Sequence, residues 1–150
     1  MKDSKLLDYT LMLADSSLIM GQKLSEWNGH GPMLEQDMAL TNIVLDQIGQ
    51  ARLLYQLAAS LKNDLDGFIN TTEDTLAFLR DANEYKNILL SELPNGDWGQ
   101  SVLKVFLFSH WQQLTYGQLV YSSNSNLSAI AEKSLKEVNY HTRWSGDWVR

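Results

Sequence analysis

Proline occurs only twice in these 150 residues, at Pro32 and Pro94. Proline breaks a helix because it lacks a backbone N–H and its ring clashes with the preceding turn. Both prolines lie in short segments that also hold Asn and Gly, namely 28–32 and 93–96, and such combinations are typical of turns. The long stretches between these segments therefore have room for helices of about 20–30 residues.

Apolar residues recur in these stretches at helical spacing. In the first stretch they include Leu7, Leu11, Ala14 and Leu18, which lie three or four positions apart. No stretch shows sustained alternation of apolar and polar residues, so we expect no sheet. The spacing predicts four long helices, over Lys5–Trp27, Pro32–Leu61, Trp98–Ser122 and from Leu127 toward the C-terminus.

The connection between the second and third long helices, residues 62–96, is itself long. Residues 62–72 are mostly polar and predict a loop. Three motifs resemble helix N-termini: Thr71-x-x-Asp74, Asp81-x-x-Glu84 and Asp97-x-x-Gln100. The first two predict short helices near 73–80 and 83–92. The third, which is led by Asp, precedes the third long helix.

One long crossover distinguishes ferritin-like four-helix bundles from bundles with only short loops. The sequence therefore predicts an all-α, ferritin-like four-helix bundle with short helices in the crossover between helices 2 and 3. At 150 residues, we expect a single domain.

Composition excludes several classes of function. The formal charge of −6 argues against a nucleic-acid-binding protein, which needs a clustered basic face. The absence of cysteine excludes disulfides, thiolate metal sites and a cysteine nucleophile. The N-terminus lacks signal-peptide features and no run approaches the ~18 apolar residues of a membrane span. We therefore expect a cytoplasmic protein with no membrane partner.

Polar residues interrupt the apolar face of the second helix. That face contains Leu40, Ile43, Gln47, Gln50, Leu54, Leu57 and Leu61. Ferritin-like di-iron proteins place a Glu-x-x-His pair on such an inward face. Here that pair is Gln47 and Gln50, and its counterpart on the last helix is Val138 and His141.

The third long helix argues against a metal site, because no Asp or Glu occurs between Asp97 and Glu132. Neutral amides are poor ligands compared with carboxylates, so we expect no metal, no cofactor and no catalytic residue. We interpret Gln47 and Gln50 as a buried pair that satisfies each other or His141.

We expect Glu137 to point away from these residues, because it lies 100° around the helix from Val138. The alternative is an autonomous ferritin-like protein with a rearranged metal site built on His110, Glu137 and His141.

Five stretches resemble the structural C subunits of the ring-1,2-phenylacetyl-CoA epoxidase, the oxygenase of aerobic phenylacetate breakdown. They occur in unbroken order, and the resemblance extends over nearly the whole chain: EWNGHGP (26–32), LDQIGQAR (45–52), EDTLAF (73–78), PNGD (94–97) and KEVNYHTR (136–143).

The resemblance implies a protein with a degenerate di-iron site that pairs with a homologous di-iron catalytic subunit. It places the degenerate ligand positions at Leu18, Gln47, Gln50, Val138 and His141. Members of that family continue past residue 150, so we expect this chain to be truncated at its C-terminus.

Apolar and aromatic residues outside the predicted core face are candidates for the partner interface. Trp and Tyr are enriched at interfaces, although any one of them can equally belong to the core. The candidates are Met33, Met38, Leu45, Ala59, Tyr140, Trp144 and Trp148. Self-association of the chain alone is left open.

Overall fold

The computed structural model describes residues 2–67 and 70–150, and none of these residues forms a strand. Six α-helices and one 3-10 turn account for most of the described chain. They are α1 Lys2–Ser25, α2 Leu34–Asp66, α3 Glu73–Phe78, the 3-10 turn Ala82–Glu84, α4 Leu89–Glu92, α5 Trp98–Leu119 and α6 Ser125–Val149.

The four long helices form two antiparallel pairs, α1 with α2 and α5 with α6. The side chain of Ser17 on α1 contacts Gln112, and Trp27, just beyond α1, contacts Ser101. The order of these contacts shows that α1 and α5 are antiparallel, so α2 and α5 run parallel. The connection between parallel helices has to return along the bundle, which confirms the predicted ferritin-like topology with a long crossover.

The bundle interior contains two apolar clusters. One includes Leu13, Leu54 and Tyr116, and the other includes Met20, Ile43 and Phe108. Between them, at the same level on the four long helices, lie buried polar side chains that we call the polar layer: Ser17, Gln47, Gln50, Gln112 and His141.

The observed bounds of α2 differ from the predicted ones at both ends. Pro32 is not its first residue, because the N–H of Gly29 donates to Asp37 Oδ1 (3.0 Å) and folds the preceding loop onto the first turn. At the other end, α2 continues past Leu61 until Gly67 ends it, with φ of 80°. Residues 62–66 were therefore wrongly predicted as loop, because their polar side chains belong to the largely exposed last turn of a helix.

The first crossover helix begins at Glu73 as predicted, but its cap lies one residue later than predicted. Thr72, rather than Thr71, caps α3 through reciprocal bonds with Thr75. Thr71 is instead buried, and its backbone N–H and C=O are both bound by the side chain of Asn63. The predicted helix 83–92 is two short pieces, the 3-10 turn and α4.

The later helix termini agree more closely with the sequence. Asp97 and Gln100 form the predicted reciprocal cap of α5. That helix ends at Leu119 instead of Ser122, and Asn124 caps α6 by accepting a hydrogen bond from the Leu127 N–H (3.0 Å). Among the described residues, no helix has both the length and the apolar character needed to cross a bilayer.

Two glycines near α2 should respond oppositely to alanine. Gly67→Ala should destabilise the protein by about 1 kcal/mol, because Gly67 has positive φ (80°). Gly49→Ala should stabilise it by about 0.5–1 kcal/mol, because Gly49 lies inside the helix with open space where the added Cβ would lie. Urea denaturation of both variants measures the two shifts, and shifts of the same sign would contradict the assigned end of α2.

Candidate functional site

Gln112 of α5 is the centre of the polar layer. Its Oε1 accepts from Gln47 Nε2 (2.8 Å), and its Nε2 donates back to Gln47 Oε1 (3.1 Å). The same Nε2 lies 3.3 Å from Gln50 Oε1 and 3.2 Å from Ser17 Oγ. Gln112 therefore joins α1, α2 and α5 through neutral hydrogen bonds in a fully buried environment.

The edge of the polar layer, between α2 and α6, carries the charged groups. His141 is fully buried, and its Nε2 lies 2.9 Å from Asp46 Oδ2. Glu137 Oε1 accepts from Gln50 Nε2 (3.1 Å). Burial raises the pKa of the Glu137 carboxyl above its usual 4.5, while the hydrogen bond from Gln50 opposes that rise.

Two details of the predicted site are wrong. Gln47 and Gln50 are buried as expected, but they bind Gln112 and Glu137 rather than each other or His141. Glu137 does not point away, because a glutamate has enough length to reach across the α2–α6 seam from its helix position. The remaining two degenerate positions, Leu18 and Val138, are buried apolar residues.

The donor set of the polar layer does not fit a di-iron centre. Such a centre takes carboxylates from all four helices of the bundle, whereas the layer holds amides, a hydroxyl and one imidazole. Asp46 and Glu137 are engaged at its edge by His141 and Gln50. Within residues 2–67 and 70–150, no group of three or more His, Asp or Glu side chains comes together in a metal-binding arrangement.

The rearranged site on His110, Glu137 and His141 is not formed either. The ring of His110 packs on Phe106, and its Nδ1 lies 2.7 Å from the Phe106 backbone oxygen. His110 lines a surface cavity with Arg143 and Gly146, whereas His141 points inward toward α2.

Sequence reasoning missed a second buried polar group, Asp15 on α1. Its carboxylate is fully buried and accepts from Tyr55, Arg80 and the Lys86 backbone N–H. The available signal was a carboxylate beside Ala14, within the apolar face of α1.

The candidate interface residues divide by exposure. The prediction of Ala59 as an interface residue is wrong, because its side chain is only 7% exposed and belongs to the core. Trp144 is half-buried, and its indole N–H donates to Gln36 (2.9 Å), as that of Trp148 does (3.0 Å). Both indoles also lie edge-on to Trp98. The candidates with exposed side chains are Met33, Met38, Leu45, Tyr140 and Trp148.

Comparison with known proteins assigns the chain to one family. A family model described as phenylacetic acid catabolic protein matches residues 1–150. The chain belongs to the phenylacetic acid catabolic protein family. This finding confirms the resemblance drawn from the five sequence stretches.

The chain is also 41% identical, over 146 residues, to a protein of Escherichia coli (strain K12) that is named as the C subunit of 1,2-phenylacetyl-CoA epoxidase. The alignment covers 97% of this chain and 56% of that relative. The chain therefore spans just over half the length of the relative that it matches.

Replacing Gln47 with glutamate should destabilise the fold. We expect Gln47→Glu to lower the free energy of unfolding by roughly 1–3 kcal/mol at neutral pH, since the carboxylate is buried and cannot donate to Gln112. The matched control is Gln56→Glu, at an exposed position of the same helix, which should shift stability by less than about 0.5 kcal/mol. Equal denaturation midpoints for the two variants would contradict the burial of Gln47.

Glu137→Gln should change how stability depends on pH. The pKa of Glu137 is raised in the folded state, so the folded protein binds this proton more tightly than the unfolded chain does. The stability that comes from the bound proton is present at low pH and is lost as pH rises through the folded pKa. The amide keeps an acceptor for Gln50 but has no charge, so the variant should gain stability over the parent as pH increases above 4.5.

Thermal unfolding of Glu137→Gln and its parent at several pH values measures this difference. The exposed Glu132→Gln is the control and should show no such gain. A stability difference between Glu137→Gln and the parent that does not change with pH would contradict the raised pKa of Glu137.

The purified chain should contain no stoichiometric iron, because the polar layer supplies neutral donors where carboxylates are required. Metal analysis after expression in iron-supplemented medium tests this expectation. Two irons per chain, the content of a di-iron centre, would show that the donor assignment is wrong.

Proposed function

We propose that this chain is a non-catalytic structural subunit of a multicomponent oxygenase that epoxidises phenylacetyl-CoA in aerobic phenylacetate catabolism. It acts by pairing with a homologous protein that carries the di-iron centre. The observation that carries the proposal is Gln112, since a neutral amide network occupies the core of a bundle whose third long helix has no carboxylate.

The energetics of burial support a structural role. Four buried carboxylates are tolerated when metal ions compensate their charge, but each costs several kcal/mol without metal. The neutral side chains of Gln47, Gln50 and Gln112 avoid that cost while they keep the long helices in register. The name of the Escherichia coli relative supports both the subunit role and the substrate.

The outward face of α2 supports pairing through long helices. Leu34, Met38, Leu45 and Ile48 are exposed and follow the alternating four-and-three spacing at which helices pack side by side, with half-buried Thr41 completing the series. A row of large apolar side chains along nearly four turns is suited to a partner helix, because its burial releases water from apolar surface.

A charge placed in this row should weaken pairing. Leu45 is 61% exposed, so Leu45→Arg should leave the fold intact and lower affinity for the catalytic homologue at least about tenfold. Ser60→Arg introduces the same charge at an exposed position of α2 outside the row and should bind normally. Size-exclusion chromatography and titration calorimetry measure the binding of both variants to the catalytic homologue. Equal affinities of Leu45→Arg and Ser60→Arg would place the interface elsewhere.

The same mixtures test the activity. Turnover of phenylacetyl-CoA should require both chains and should fall with Leu45→Arg in proportion to the lost complex. Turnover by this chain alone, or full turnover by the catalytic homologue without it, would contradict the proposed function.

A further inference from the structure

A buried carboxylate on α1, that of Asp15, binds the crossover between α2 and α5 at two points. Asp15 is 0% exposed, and three donors converge on it. Tyr55 and Arg80 donate to Oδ1, and the Lys86 backbone N–H donates to Oδ2 (2.8 Å). The next residue, Ser16, adds a further bond to the crossover by accepting from the Ile88 N–H (3.0 Å).

Arg80 connects this carboxylate to the rest of the crossover. Its Nε donates to the Leu76 backbone oxygen (2.7 Å), and its Nη1 donates to that of Glu84 (3.0 Å). The ring of Tyr85 covers the guanidinium, with Cζ 4.3 Å from the ring centre. Arg80 therefore holds Leu76, Glu84 and Tyr85 together, and its charge is compensated by Asp15.

Apolar burial in residues 76–88 comes mainly from Leu76, Ala77 and the half-buried Ile88, which pack against the two apolar clusters. Leu76 and Ala77 are buried, but the next two residues, Phe78 and Leu79, are 61% and 76% exposed. The helical pieces have six residues or fewer, which is far too short for a helix to be stable alone. Two cavities of about 360 and 380 Å³ flank α3, and both are lined by Leu18, Ala77 and Phe78.

We propose that Asp15 is an electrostatic lock and that the crossover is a strap, residues 76–88, which opens as a unit while the four long helices stay folded. Opening joins the two cavities into one groove above Leu18. The lock is strong because removing one member of a buried ion pair leaves the other charge uncompensated. The proposal concerns this chain alone and does not rest on the proposed pairing.

The absence of cysteine allows a direct test with single introduced thiols. Ala77→Cys reports opening of the strap, and Ala58→Cys, at a fully buried position of α2, reports unfolding of the bundle. In the native protein, Ala77→Cys should be labelled by a thiol reagent at least about tenfold faster than Ala58→Cys.

Asp15→Asn should then accelerate labelling of Ala77→Cys by roughly a further tenfold or more, and that of Ala58→Cys by less than about threefold. Asp8→Asn is the matched control, because Asp8 is also on α1 and pairs with Lys86 of the crossover, but in an exposed position. It should leave both rates unchanged.

Three results would overturn the proposal: equal labelling of the two thiols in the native protein, equal acceleration of both by Asp15→Asn, or the same effect from Asp8→Asn. If Asp15→Asn fails to fold, hydrogen exchange of the unmodified protein tests whether residues 76–88 open separately from the long helices. Amides of residues 76–88 should exchange by openings that leave α1, α2, α5 and α6 protected, and exchange together with those helices would contradict the lock.

Discussion

The buried amide of Gln112 is the interaction on which the arrangement of the helices depends. A polar group inside a bundle costs free energy unless every donor and acceptor finds a partner, and Gln112 finds its partners on α1 and α2. These bonds form only in one relative position of the helices. The polar layer therefore fixes register in a way that the apolar clusters above and below it cannot, because apolar contacts are not directional.

The same layer explains how this chain differs chemically from a di-iron protein of the same shape. Charge is confined to the edge, where Asp46 meets His141 and Glu137 meets Gln50. The centre is neutral, because Gln47, Gln50 and Ser17 meet Gln112 through uncharged groups. The apolar row on α2 is the outer face that we propose for pairing.

The sequence predicted the elements well and the contacts poorly. Two prolines and the helical spacing of apolar residues were enough for four long helices and a crossover, because these are local signals. Gln47 and Gln50 were found because they interrupt a periodic face. Their hydrogen-bond partners were not predicted, since the pairing with Gln112 and Glu137 depends on the register between helices. Ala59 was misplaced for the same reason: its neighbours in space come from other elements.

A double-mutant cycle between Gln47 and Gln112 measures how strongly the two buried amides depend on each other. Gln47→Met and Gln112→Met each keep side-chain length but remove one side of the reciprocal Gln47–Gln112 pair. We expect the two losses of unfolding free energy to be non-additive, with a coupling of about 0.5–3 kcal/mol, because the double variant leaves fewer unsatisfied groups than the two single variants together. Additive losses would show that the two amides act independently and that their pairing does not fix the register of the helices.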